Sequence, residues 1–251
     1  MKIIIQQGEI YKIGEHIIGC GSSLDPTFVS KVIGKNKIRA IICDPPFAVA
    51  YTQGKREMNN KISVDKIIIG DQLQTDEEYA TFTKAWLGLA IPHLDSYNAC
   101  YIFNSDLMYS ALRQGMKEAG FYYSQMIIWF KNQPVMNRKD YLMMFELIAY
   151  GWFGKHKMER SKGKSVIIHP KPAKSKLHCT QKPVGLLRKL IPNSTKINEY
   201  VYDPFLGSGT TAVACEHLGR RCIGIDLDPE YVATAITRLE KLTGTTATKI
   251  L

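Results

Sequence analysis

The sequence predicts an α/β domain, a mostly parallel sheet with helices on both faces. Three observations predict it. Short apolar runs alternate with amphipathic stretches along the chain. Ile38-Arg39-Ala40-Ile41-Ile42-Cys43 is a near-continuous buried-strand pattern that stops at Asp44-Pro45-Pro46, where proline has no N–H for a ladder bond. Val201-Tyr202-Asp203 runs into Pro204-Phe205-Leu206-Gly207-Ser208-Gly209-Thr210-Thr211, which reads as a strand, a tight glycine turn and a helix start.

The other elements follow in order. Thr75-Asp76-Glu77-Glu78 forms a capping box before a helix that carries Phe82, Trp86 and Leu89. Tyr97 to Phe103 reads as a strand, and a helix from about Leu107 aligns Met108, Leu112 and Met116 before Gly120 stops it. Gln125 to Phe130 and Met144 to Tyr150 are two further strands. Pro183 suits the first turn of a helix carrying Leu186, Leu187, Leu190 and Ile191, which Pro192 should end. Next come a strand from Tyr200 to Asp203, a helix to Leu218 capped by Gly219, and a strand from Cys222 to Asp226. A final helix begins at Asp228-Pro229 with Val232, Ala235, Ile236 and Leu239 on one face. Residues 51–71, polar with three Lys and one Arg, read as a long mobile loop directly after Phe47.

Composition bounds the function. At 251 residues with 45% hydrophobic and 22% charged side chains, wholesale disorder is excluded. No apolar run approaches the roughly 20 residues that span a bilayer, and the N-terminal run soon turns polar, unlike a secretory signal. The six cysteines are scattered without a CxxC pair, which points to a cytoplasmic protein with no disulfide framework and no metal site. A net charge of +10 favours a polyanionic partner, and 155–176, KHKMERSKGKSVIIHPKPAKSK, concentrates it.

Three ligands compete for the glycine turn. A P-loop needs Lys before Ser/Thr, which is missing. Gly207, Gly209 and Ala212 fit a dinucleotide pattern. S-adenosylmethionine instead needs acids: Asp203 for its cationic methionine portion and Asp226 for both ribose hydroxyls. Asp203-Pro204-Phe205 favours the last, because dinucleotide turns do not usually open with an acid and a proline.

Asp44-Pro45-Pro46-Phe47 reads either as a plain strand-ending turn or as a reaction centre. An exocyclic base amine is a poor nucleophile because its lone pair is delocalised into the ring. Accepting hydrogen bonds from both N–H groups, on Asp44 and the Pro45 carbonyl, localises that lone pair. The prolines fix the backbone, and Phe47 offers a stacking face. Such a base must be flipped out of the duplex.

Taken in order, Asp-Pro-Pro-Phe, Thr-Gln-Lys-Pro, Asp-Pro-Phe-Leu-Gly-Ser-Gly-Thr-Thr and Gly-Ile-Asp-Leu-Asp-Pro-Glu-Tyr resemble the β-class, circularly permuted DNA amino-methyltransferases. The likeness covers nearly the whole chain, including Ile127 to Lys131 and Glu146-Leu147-Ile148. It implies a single Rossmann-like methyltransferase domain over 1–251 with a seven-stranded sheet. It also implies S-adenosylmethionine contacts from Asp203, Phe205, Gly207, Ser208, Gly209, Thr210, Thr211 and Asp226, with Lys182 beside the cofactor. Asp44 in the first catalytic position resembles the adenine-N6 enzymes. Cytosine-N4 methylation and a catalytically silent DNA-binding protein are the alternatives.

Three departures stand out. Phe47 replaces the commoner Tyr, and Asp226 the more usual Glu. Where relatives often carry Gly-Asp, the chain reads Gly19-Cys20-Gly21-Ser22-Ser23, so that acid is absent or supplied by Asp25. The resemblance also places target recognition in a short basic insert at 152–178. Lys155, Lys162 and Lys164 there suit phosphates, and Trp152, Phe153, His156, Arg160 and His169 suit bases. Gln53, Lys55 and Arg56 are DNA-contact candidates in the 51–71 loop. So small a recognition region implies a short site, loose specificity or a second subunit in a homodimer.

Overall fold

A computed structural model describes residues 4–47, 72–134, 140–160, 163–171 and 181–251. Ten strands form one sheet: β1 (Ile10–Ile13), β2 (His16–Cys20), β3 (Ile38–Cys43), β4 (Leu94–Asn104), β5 (Phe121–Phe130), β6 (Phe145–Phe153), β7 (Val166–Ile168), β8 (Tyr200–Asp203), β9 (Arg221–Asp226) and β10 (Thr248–Lys249). Among the described residues six α-helices accompany them: α1 (Pro26–Ile33), α2 (Asp76–Ala90), α3 (Tyr109–Glu118), α4 (Val184–Ser194), α5 (Thr210–His217) and α6 (Pro229–Thr243).

The strand order is β10-β1-β2-β9-β8-β3-β4-β6-β5-β7. The expected seven strands are its centre, β2 through β5, extended by β1 and β10 at one edge and β7 at the other. From β2 to β4 every neighbouring pair is parallel, whereas β6 runs antiparallel to both β4 and β5.

Alternation sorts each central strand between two cores. Ala40 and Ile42 of β3 join Tyr101 and Phe103 of β4 under α4, α5 and α6. Ile38, Ile41 and Cys43 face the other way, with Cys100 and Ile102, under α1, α2 and α3. Successive side chains of a strand point to opposite faces, so a strand covered on both sides is apolar except where a charge is paired, as Arg39 is with Glu159 and Glu199. All six β3 residues are buried.

The helix starts follow local chemistry. Thr75 caps α2 through a reciprocal box with Glu78, and Asp228 caps α6 ahead of Pro229. The buried stripe of α2 is Tyr79, Ala80, Thr83, Trp86, Leu87 and Ala90, so Phe82 and Leu89 sit on its margins. Pro192 does not end α4, which continues to Ser194. A proline in the last turn forfeits only one helical bond there, and the hydroxyl of Thr195 donates to the Ile191 carbonyl at 2.7 Å. The 51–71 loop lies outside the described residues. Among the described residues no helix is long and apolar enough to cross a membrane, and no group of His, Cys, Asp and Glu is gathered as metal ligands.

Replacing Thr75 by Ala should lower the unfolding free energy by about 1 kcal/mol in a denaturant melt, with the denaturant slope unchanged because α2 docks as before.

Candidate active site

Strands β9, β8 and β3 end side by side at one edge of the sheet, in Asp226, Asp203 and, one residue past β3, Asp44. Asp203 pairs with Gly224 and lies level with Ile42, so Asp226 and Asp44 each reach two residues beyond it and the three acids form a staggered row. From β8 the chain proceeds to β9 on one side, and from β3 to β4 on the other. The crevice at such a switch point is where open α/β sheets bind ligands.

On the β8 side the chain turns through Gly207 (φ 53°) and Gly209 (φ 83°), both in the left-handed region that glycine tolerates. A Cβ on Gly209 would lie 2.7 Å from that of Ala235, so α6 packs directly against the turn. Asp203 accepts from the Phe205 N–H at 3.0 Å and from the Thr211 hydroxyl at 2.5 Å. Burial nevertheless pushes its pKa up to about 7. Asp226 accepts from the Gly207 N–H at 2.7 Å and the Asp228 N–H at 2.9 Å, one on each oxygen. The Phe205 ring lies against Phe82 and edge-on to Trp86, with centroids 5.7 and 5.4 Å away. Ser208, Thr210 and Thr211 are buried, and Arg238 donates to the Ser208 carbonyl at 2.5 Å.

Next to this turn stands a line of alternating charges. Asp44 Oδ2 accepts from Lys182 Nζ at 2.5 Å, Lys182 reaches Glu146 Oε2 at 3.1 Å, and Glu146 Oε1 accepts from Lys131 at 2.7 Å. Both ammoniums are buried, with side-chain exposures of 8% for Lys182 and 3% for Lys131. Among the described residues Asp44 Oδ1 is buried without a hydrogen-bond partner. Burial, reinforced by Glu146, pushes Asp44 up to about 6 although Lys182 pulls the other way. Burial also disfavours the Lys182 ammonium, but the two carboxylates outweigh it and hold its pKa above the usual lysine value. Lys182 Nζ lies 5.4 Å from the centres of both the Phe47 and Phe103 rings. Lys182 therefore grips the Asp44 carboxylate, while its neighbour Gln181 reaches the glycine turn through the Thr210 hydroxyl at 3.2 Å.

The basic candidates are not brought to this edge. Strand β6 starts beside the site, with Asn104 opposite Leu147, and runs away from it to Phe153. Lys155 bridges to Tyr97 near the start of β4, at the opposite end of the sheet from Asp44. His156 stacks on Trp152 (4.3 Å, 17°) and pairs with the Tyr150 hydroxyl at 2.9 Å. The Arg160 N–H donates to Asn193, at the end of α4, at 3.3 Å. The reversed strand thus carries these three to the end of the sheet remote from Asp44. The chain returns only through β7, which Lys164 precedes, and His169 follows β7 with its N–H bonded to the Phe130 carbonyl at 3.0 Å. Lys162, Gln53, Lys55 and Arg56 lie outside the described residues. Asp25 caps α1, one of its oxygens accepting from both Thr27 and Phe28 at 2.8 and 3.1 Å.

Sequence reasoning did not single out Glu146 or Lys131 as site residues. Their signal was a charge within or at the end of an otherwise apolar strand, where an ion stays only if it is paired.

Two acids on adjoining strand ends, one of them with a raised pKa, fit the ammonium and ribose diol of S-adenosylmethionine, and a flat ring beside them fits its adenine. The class that this fold and crevice define is the S-adenosylmethionine-dependent methyltransferase. The DNA methylase family of N6/N4 methyltransferases matches residues 38–237, and the chain belongs to it. It is 31% identical over 234 residues to Type II methyltransferase M2.DpnII of Streptococcus pneumoniae, across 80% of this chain and 81% of that protein. Type II methyltransferase M2.LlaDCHI of Lactococcus lactis subsp. cremoris is 30% identical over 224 residues, with coverage of 80% and 81%. The crystal structure of the M1.HpyAVI–SAM complex is 27% identical with a TM-score of 0.65, covering 88% of this chain and 98% of that one. The cytosine-N4-specific PvuII DNA methyltransferase shares the fold at 17% identity, with a TM-score of 0.70 over 93% and 92% of the two chains. This protein is an S-adenosylmethionine-dependent DNA methyltransferase of the N6-adenine/N4-cytosine family.

Because His156 is spent on packing, His156→Ala should lower the unfolding free energy by about 1–2 kcal/mol. Its affinity for duplex DNA, read by fluorescence anisotropy, should stay within about twofold.

Proposed function

We propose that the enzyme methylates N6 of an adenine flipped out of DNA, with Asp44-Pro45-Pro46-Phe47 as the catalytic segment. The observation that carries this reading is the buried, unpartnered Asp44 Oδ1. With Oδ2 held by Lys182, Oδ1 is free to accept one N–H of an exocyclic amine while the Pro45 carbonyl accepts the other. Both bonds draw the nitrogen toward tetrahedral geometry and localise its lone pair. Phe47 stacks on the base.

Bound S-adenosylmethionine supplies an electrophilic methyl group. We assign its ammonium to Asp203, its ribose to Asp226, its adenine to Phe205, and its close backbone approach to the turn of Gly207, Ser208 and Gly209 with Thr210 and Thr211. As the new N–C bond forms, the nitrogen must lose a proton. Asp44 Oδ1 is placed to take it, and a carboxyl with a pKa near 6 is a better base than an ordinary one. Adenine is favoured over cytosine because an acid, rather than the serine commoner in cytosine-N4 members, occupies the first catalytic position.

DNA reading falls in this proposal to the return leg of the 152–178 insert from Lys164 onward, and to the loop at 51–71. The catalytic unit is the single domain 1–251, and a homodimer would add a second recognition surface.

Incubation of unmethylated DNA with labelled S-adenosylmethionine, followed by digestion to nucleosides, should give N6-methyladenine deoxynucleoside. Label in N4-methylcytosine instead would replace adenine as the target, and unlabelled DNA would sink the enzyme reading. Asp44→Ala should lower turnover by roughly 10²–10⁴-fold while cofactor affinity stays nearly intact. Cofactor binding should weaken as pH falls through about 7, where Asp203 gains a proton and loses its charge for the ammonium. Titration calorimetry from pH 6 to 8 on the scale of that pKa checks the sign, and Asp203→Asn should flatten the dependence.

A further inference from the structure

Glu146 and Lys131 touch neither the glycine turn nor, by any contact described above, the base. Yet Lys131 is buried and Glu146 keeps only 20% of its side chain exposed, and withdrawing such ions from water is costly. Glu146 opens β6 and Lys131 directly follows β5, strands whose register sets Trp129 opposite Glu146. Glu146 gives one oxygen to each lysine, 3.1 Å to Lys182 and 2.7 Å to Lys131. Lys182 in turn divides its ammonium between Glu146 and Asp44. The Lys131 ammonium also rests 5.0 Å from the Trp129 ring centre, which fixes its place.

We propose that Glu146 and Lys131 are positioning residues for methyl transfer: through Lys182 they set how tightly Asp44 Oδ2 is held, and so the pH below which Asp44 stops accepting the amine. This rests on the reading of Asp44 as the amine acceptor.

The line of charges gives the two residues opposite effects. Glu146 draws Lys182 away from Asp44, and its own negative charge opposes ionisation of Asp44. Lys131 occupies Glu146 and so releases Lys182 toward Asp44. The directions of the individual influences on Asp44 agree, Glu146 raising its pKa and Lys131 lowering it. Among the described residues the other titratable groups near Asp44 are Asp203 on β8 and the Cys43 thiol on β3, and burial keeps that thiol protonated. Working at saturating cofactor keeps the titration of Asp203 out of the rate.

The test is the pH dependence of single-turnover DNA methylation by the full chain at saturating S-adenosylmethionine. In Glu146→Gln the acid limb should move to lower pH by about half a unit or more. In Lys131→Met it should move to higher pH by a similar amount, and Lys131→Arg, which keeps the cation, should restore it. The Glu146→Gln/Lys131→Met pair should lie nearer to Glu146→Gln, because Lys131 acts through Glu146. If Lys131→Met does not fold, Glu146→Gln against Glu146→Asp decides, since only the first should move the limb strongly. Limbs that stay in place while rates fall uniformly, or that move in the same direction in both variants, overturn the proposal. A wild-type chain that methylates DNA without any acid limb overturns the assignment of Asp44 as well. Absence of methylation at every pH overturns the functional reading on which both stand.

Discussion

The ammonium of Lys182, buried between two carboxylates, is the contact around which the site is arranged. An ion withdrawn from water persists only with opposite charge close by, and here four ions alternate in sign over three short contacts. The line is neutral as a whole, so the crevice can hold an ionisable carboxylate at its end without opening to bulk water. That end is Asp44, with one oxygen tied and the other spare. The sheet delivers the participants. Strand β3 ends at Asp44 because proline ends it, and α4 is led in by Lys182 and Pro183. Glu146 reaches the same edge because β6 is reversed, so that its first residues, rather than its last, lie beside the carboxyl ends of the parallel strands.

The cofactor side is built differently. Asp203 and Asp226 each accept from backbone N–H groups, and Asp203 also from the Thr211 hydroxyl. Such bonds fix each carboxylate in place without neutralising it, and burial then lifts Asp203 well above the ordinary range. A cationic ligand relieves that strain directly. The two halves meet at Gln181 and Lys182, consecutive residues of which one reaches Thr210 in the glycine turn and the other reaches Asp44. A single short segment therefore couples the order of one pocket to that of the other.

Much of this was legible in the sequence wherever the cause was local. Strand β3, strand β8 and the buried face of α6 coincide with the expected residues, because proline, a glycine turn and an Asp-Pro cap act within a few positions. The hairpin of β1 and β2 and the closing strand β10 were not visible. They are short, and Tyr11 pairs with Lys249 at the far end of the chain, a contact with no local signature. Asp44, Asp203 and Asp226, which the structure gathers at one end of the sheet, were singled out by motif, but the Glu146–Lys131 pair was not. Its meaning lies in a register between two strands, which spacing along the chain does not encode.

The basic segment shows the same limit in reverse. Its charge pointed to DNA, and its composition is real, but a reversed strand carries Lys155, His156 and Arg160 to the end of the sheet remote from Asp44. There the nearby acids turn inward: Glu159 and Glu199 both pair with the buried Arg39, at 2.9 and 3.4 Å. The positive charge of this stretch is thus partly a consequence of how the far end is pinned. Amine chemistry and base choice are separable for the same reason. A free carboxylate oxygen beside a fixed carbonyl suits any exocyclic amine with two N–H groups. Discrimination between adenine and cytosine therefore falls to groups that meet the ring edge, which the amine contacts of Asp44 and the Pro45 carbonyl do not reach.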